Sequence, residues 1–218
     1  MWHFINRHLQ APNAMTVPVD PAIVGEFAGA CNQTMDGMGI VKPNWNSDIK
    51  WVAPSIPEAH GVFENAFERL AVANHVRRYL DLEREVRLYA GFLVIRSECS
   101  APNFHVDWME TNNEAFTLLT PVSPVPEGFG LLYATANGQI AQYDYKVGEA
   151  IIFGDQFQHS TKPGRSDEPV VLLCFEFGTD KMKHWDKILA TIAGQAAILR
   201  RPDGSFMQTN ALSGKGGY

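Results

Sequence analysis

The chain has 218 residues, 45% of them hydrophobic and 19% charged, which suits a soluble globular protein with room for one substantial core. Its net charge of −6, with no basic run anywhere, excludes a nucleic-acid or anionic-membrane surface. Cys31, Cys99 and Cys174 are odd in number and far apart, so neither a disulfide framework nor a Cys-rich zinc site is signalled. The N-terminus lacks the apolar core of a secretory signal, and no stretch reaches the length of a membrane span. The expected compartment is therefore the cytoplasm.

In chain order, Asp20-Pro21 ahead of Ala22-Ile23-Val24 reads as a helix start, with Asp as N-cap and Pro in the first turn. Residues 44–57 read as loop or a short edge strand. From Gly61 to Glu85, Phe63, Phe67, Leu70, Val72, Ala73, Val76 and Leu80 recur at helical spacing. The pattern then changes. Glu85 to Ile95, Phe116 to Thr120, Leu131 to Ala134, Gln139 to Tyr145, Glu149 to Phe153 and Val170 to Phe177 are β-branched and aromatic runs, punctuated by glycines. Asn137-Gly138 between two of them predicts a tight hairpin. Asp180 to about Leu199 returns to helical periodicity, with Trp185 placed to pack that helix onto the strands. Trp2, Trp45 and Trp51 are expected to cover the N-terminal face, and the tail from Ser213 is expected to be loose.

Many short strands at regular spacing predict a barrel or sandwich. The expected architecture is one domain that is mostly β with flanking helices. It divides into a mixed, partly helical segment 1–85, a β-barrel core 86–178, and a closing helix and tail 179–218.

Within the β half stand His105, Asp107 and, downstream of a Gly154-Asp155 turn, His159. On a strand, residues two apart point the same way, so His105 and Asp107 share a face and Val106 turns from it. A closed barrel can bring His159 opposite that pair. Two imidazoles and one carboxylate can take one face of an octahedral ion and leave the other open, an arrangement suited to Fe(II) enzymes that bind O2 and a co-substrate together. Taken singly, His105 also fits a polar strand end, and Asp107 a turn cap. Trp108, beside the pair, fits a pocket wall or an aromatic core residue, and Asp155 fits a turn cap or a partner that orients His159. His60, His75 and His184 read as surface or helix residues.

The runs Asn103-Phe104-His105-Val106-Asp107-Trp108 and Gly148-Glu149-Ala150-Ile151-Ile152-Phe153-Gly154-Asp155, followed by His159-Ser160, resemble the Fe(II)- and 2-oxoglutarate-dependent oxygenases, and within them the phytanoyl-CoA-dioxygenase-like branch. The resemblance spans about Tyr89 to Gly178. It implies a double-stranded β-helix (a jelly-roll, cupin-like barrel), with His105, Asp107 and His159 as iron ligands and 2-oxoglutarate as co-substrate. It also implies a basic residue about ten positions after the distal His, to hold the far carboxylate of 2-oxoglutarate. Pro169 and Val170 stand there, and neither can serve. The nearest substitutes are Arg165 and Arg96, whose forked guanidinium groups rank above Lys162 and Lys146 for binding a carboxylate.

The function expected is an Fe(II)- and 2-oxoglutarate-dependent hydroxylase acting with O2 on a small organic molecule. A cupin-like metal-dependent dioxygenase or isomerase that does not use 2-oxoglutarate stands second, favoured by the missing late-strand basic residue. A non-catalytic β-barrel binding protein stands third.

Overall fold

A computed structural model describes residues 8–31, 37–41 and 49–210 of the chain. The expectations for Trp2, Trp45, the first seven residues and the tail from Ser213 lie outside the described residues. Seven strands form one antiparallel sheet: β1 (Ala14–Pro18), β2 (Met38–Val41), β3 (Lys50–Pro54), β4 (Arg87–Cys99), β5 (Ala115–Pro121), β8 (Glu149–Phe153) and β10 (Gly164–Gly178). Their spatial order is β1-β8-β5-β10-β4-β3-β2. A smaller antiparallel sheet, ordered β7-β6-β9, comprises β6 (Leu131–Ala134), β7 (Ile140–Tyr143) and β9 (His159–Thr161). The β6–β7 turn is the hairpin predicted at Asn137-Gly138. Gly138 has φ of +76°, a region that costs glycine little, and Thr135 and Gln139 close the turn through a backbone hydrogen bond.

Alternation along the strands of the large sheet gives each of its faces a separate core. On one face Phe116, Leu118, Ile152, Leu173, Phe175 and Phe177 pack under α2 (Pro57–Arg69) through its Phe63, Ala66 and Phe67. Gly91 of β4 permits this approach, since a Cβ there would lie 2.5 Å from Phe63. On the other face Ile151 and Phe153 meet Leu131, Tyr133 and Tyr143 of the small sheet. Beside them Ala90, Phe92 and Cys174 meet Trp185, Ile188 and Ile192 of α4 (Trp185–Ile192). The two sheets thus close face to face, with α4 packed on the same face of the large sheet beside the small one. Trp185 is buried, with its ring 5.7 Å from that of Tyr89, and packs the helix as expected.

Several local expectations need correction. The N-terminal segment, read as mixed and partly helical, holds α1 (Pro21–Gly25), which Asp20 caps, and β3 within the 44–57 stretch read as loop or a short edge strand, but also contributes β1 and β2, which were not expected. Its strands have four or five residues, too few for alternation to register. The long helix expected over Gly61–Glu85 instead starts at Pro57 and breaks after Arg69, where Ala71 takes a left-handed φ of +51°. It resumes only as α3 (Ala73–Val76) and a 3-10 turn at Arg77–Tyr79. The closing helix is likewise short, because Ile198–Arg200 (β11) leaves it to pair with Phe206–Gln208 (β12). Strand β10 is buried on both faces from Val170 onward, so Cys174 and Glu176 are as enclosed as Phe175 and Phe177. No helix among the described residues is long and apolar enough to cross a membrane.

Candidate metal centre

Past β4 the chain turns back toward the small sheet, and His105 forms a single bridge with His159 at the start of β9. The amide of each donates to the carbonyl of the other at 2.9 Å, which sets the two rings side by side with centroids 4.5 Å apart. The His-x-Asp segment is therefore pinned at one residue and is not a regular strand. Even so, Asp107 faces the pair. Its Oδ1 lies 3.5 Å from Nε2 of His105 and 3.6 Å from Nε2 of His159. One donor atom from each residue falls within 4.8 Å of the other two.

The second nitrogen of each ring is committed elsewhere. Nδ1 of His105 lies 2.8 Å from the Asn103 carbonyl, and Nδ1 of His159 lies 3.1 Å from that of Phe157. A carbonyl only accepts, so each Nδ1 carries a proton, and each Nε2 faces Asp107, where it can offer a lone pair to a metal. Oδ2 of Asp107 accepts from the Thr117 hydroxyl at 3.1 Å, and that hydroxyl oxygen accepts from Nε1 of Trp108 at 2.9 Å. Burial would raise the Asp107 carboxyl, but the charges of His159 and His105 and the Thr117 hydroxyl outweigh it and hold the pKa below its ordinary value. Burial lowers the His159 imidazole, which Asp107 offsets only in part. For His105 burial is outweighed by Asp107 and the Asn103 carbonyl, and the pKa is raised. Two nitrogen lone pairs and one anionic oxygen, all on one side of a point, form a donor set that fits a divalent iron and leaves its other side open.

That open side gives onto a cavity of about 510 Å³ between the sheets, roomy enough for a co-substrate and a small substrate together. Arg96 lines it and is only 7% exposed. Its cross-strand partner is Val170, the position where the resemblance calls for a basic residue and finds none. Paired residues of adjacent strands share a face, so Arg96 delivers its guanidinium from the neighbouring strand to the place Val170 leaves apolar. Arg165 pairs with Glu98 beyond a register shift, is exposed, and takes no part in the cavity wall. Neither Lys146 nor Lys162 lines the cavity. Trp108 is also absent from the wall. Its ring is fully buried behind Asp107, because its N–H turns inward to Thr117.

The two sheets, their strand order and the cavity between them are those of a double-stranded β-helix. The comparisons agree. HygX from Streptomyces hygroscopicus, solved with nickel and 2-oxoglutarate bound, matches 81% of this chain and 88% of its own at 14% identity and a TM-score of 0.58. A Pseudomonas putida prolyl-4-hydroxylase matches 77% of this chain and 92% of its own at 15% identity and a TM-score of 0.55. The α-ketoglutarate-dependent non-heme epimerase SnoN, from nogalamycin biosynthesis, matches 77% and 78% at 14% identity and a TM-score of 0.57. At such identities the likeness is one of fold. No family model matches the sequence, and no curated protein is similar to it in sequence.

Within this β-helix several residues gain a place that sequence reasoning did not assign. Thr117 was read only as part of a strand, yet it holds Asp107. Cys174, a buried core residue beneath α4, also lines the cavity, with its thiol pushed up by burial and by the nearby Glu176 and Asp107. Glu176 also lines the cavity and is 1% exposed. A carboxylate in the run Val170–Phe177, otherwise built of Val, Leu, Cys and Phe, is the signal that was available. Asp155 does not touch His159. Its carboxylate accepts from the Thr111 hydroxyl and the Asn113 amide, tying the loop after Asp107 to the turn before β9. A second grouping of potential ligands, Asp81, Glu114 and His184, is engaged by lysines: both Lys181 and Lys183 bond the Asp81 carboxylate.

Proposed function

We propose that the protein is an Fe(II)- and 2-oxoglutarate-dependent oxygenase that oxidises a small organic molecule. The observation that carries the reading is the convergence of His105, Asp107 and His159, with both Nε2 atoms directed toward Asp107, at the wall of a cavity that also holds Arg96.

His105, Asp107 and His159 would hold the iron. When bound, iron and 2-oxoglutarate together use O2 to oxidise a substrate carbon while the keto acid loses CO2. The carbonyls of Asn103 and Phe157 keep both imidazoles in the ligating tautomer, and Thr117 keeps the Asp107 carboxylate turned toward them. Arg96 would bind the distal carboxylate of the co-substrate as a two-pronged donor. Its Nε donates to the Glu98 carbonyl at 2.7 Å, which fixes the side chain before any ligand arrives. Phe92, Leu119 and Leu172 give the cavity apolar walls that keep water from the reacting atoms.

A metal enzyme that does without 2-oxoglutarate was attractive only while no basic residue could be found for the co-substrate. Arg96 opposite Val170 removes that reason. The deciding experiment is an anaerobic titration with Fe(II) and then 2-oxoglutarate, followed by visible absorption. A metal-to-ligand charge-transfer band is the expected result. Iron binding without the band would overturn the role of 2-oxoglutarate, and no iron binding would overturn the whole reading.

A further inference from the structure

Glu176 is not needed to hold iron or the co-substrate, yet it lines the cavity. Its neighbours across β10 are Thr117 on β5 and Ala90 on β4. Thr117 is the residue that bonds Asp107, so Glu176 lies beside the Asp107 side of the metal centre. The side chain is 1% exposed, and its Oε2 is buried with no hydrogen-bond partner. A carboxyl oxygen enclosed in that way loses its hydration without compensation, a cost that natural interiors rarely leave standing.

No other cation among the described residues that line the cavity lies beside Glu176. The basic side chains that line the cavity are Arg96, His105 and His159. The two imidazoles face Asp107, and Arg96 stands opposite Val170, six residues or roughly 20 Å of strand away from Glu176. The cavity is therefore polarised along β10, with a guanidinium at one end and a carboxyl at the other. Leu172 and Cys174 lie between them. The end of α4 adds to the polarity. Ala190 and Thr191 of its last turn, with Gly194 and Gln195 beyond it, line the same cavity, and that turn has no basic residue to offset the negative end of the helix dipole.

We propose that Glu176 is a specificity-determining residue that binds a primary ammonium or guanidinium group of the substrate, so that the natural substrate is a small organic amine oxidised at a carbon near its nitrogen. The charges then balance in pairs. Arg96 takes the far carboxylate of the co-substrate, and Glu176 takes the substrate's cation. As a statement about a substrate this rests on the oxygenase reading; as a statement about a ligand site it can be read separately.

The test uses the full chain under anaerobic conditions with Fe(II) and 2-oxoglutarate, and calorimetric titration with three probes of equal length: n-pentylammonium, 1-pentanol and pentanoate. The ammonium is expected to bind at least about tenfold more tightly than the alcohol, with pentanoate weakest at this end of the cavity. Burial and the nearby Asp107 push the Glu176 carboxyl up, so it gives up its proton only when a cation binds; in Glu176→Gln, which keeps the shape but cannot ionise, that preference should vanish. Equal binding of ammonium and alcohol to the wild-type chain would overturn the proposal without recourse to any variant. So would a preference that survives in Glu176→Gln. The charge-transfer band recorded on the same samples keeps the two readings apart. A band without ammonium preference sinks the amine site alone, whereas ammonium preference without a band sinks the oxygenase reading and leaves the amine site standing.

Discussion

Replacing Arg96 with methionine keeps most of the apolar stem and removes the guanidinium. If Arg96 holds the distal carboxylate of 2-oxoglutarate, the variant forfeits charge-assisted hydrogen bonds in a nearly enclosed site, since the residue is 7% exposed. Such bonds are worth about 1.5–3 kcal/mol, or roughly 10- to 150-fold in Kd. Leaving the ligand's carboxylate buried without its partner pushes the loss toward the upper end. Iron should be affected little, because Arg96 is not one of the three residues that would hold it. The assay is the anaerobic charge-transfer titration, with Fe(II) saturating and 2-oxoglutarate varied. Arg96→Met should need about 100-fold more 2-oxoglutarate to reach half its band, and Arg96→Lys should fall between, as a point charge replaces a fork. Arg165→Ala, at an exposed position outside the cavity, should titrate like the parent. Wild-type affinity in Arg96→Met, or a loss confined to Arg165→Ala, refutes the assignment.

Three further outcomes are expected. His105→Ala and Asp107→Ala should each abolish Fe(II) binding while far-UV circular dichroism stays unchanged, whereas unfolding of both would mean that the residues are structural. Thr117→Val should weaken Fe(II) binding about tenfold, since Asp107 loses the hydroxyl that orients it, and equal affinity by titration would rule out that role. Stability should fall between pH 6.5 and pH 4 through His60, which burial depresses to about 4. The unfolded chain takes up a proton there that the folded chain refuses, so stability is complete above pH 6.5 and decreases by roughly 3 kcal/mol on the way down to pH 4. Urea denaturation across that range should show a shallower slope in His60→Gln, and an unchanged slope would assign the acid sensitivity elsewhere.

Legibility followed the length of the pattern. The long strands β4, β5 and β10 were read from β-branched and aromatic runs, and Asn137-Gly138 marked its hairpin, because these signals are local and survive into the fold. Strand β3 falls within residues 44–57, where a short edge strand was one of two readings, but β1 and β2 escape propensity because each is four or five residues long at an edge of the sheet, where pairing with β8 or β3 decides. Ile198–Arg200 continued a helical pattern and became a strand because Phe206–Gln208 offered it a partner. The metal centre was readable since its residues are rare types at a telling spacing. Trp108 was not, because a tryptophan next to a ligand can turn either way, and only the Thr117 hydroxyl behind Asp107 determines which.

The position of the basic residue shows why chain distance is a poor guide to a binding site in a β-barrel. Counting from His159 along β10 reaches Val170, and the count alone suggests that the co-substrate has lost its anchor. Yet a ligand meets a surface and not a strand. On the inner face of the sheet, Val170 of β10 and Arg96 of β4 are cross-strand neighbours, as close as two side chains in a sheet come. Moving the cation one strand sideways changes its sequence position by 74 residues (170 − 96) and its place on the cavity wall by one interstrand spacing of about 4.8 Å. A flexible arginine stem can span that difference. The same reasoning places Glu176: it is far from Asp107 in the chain, but Thr117 is the cross-strand neighbour of the one and the hydrogen-bond partner of the other.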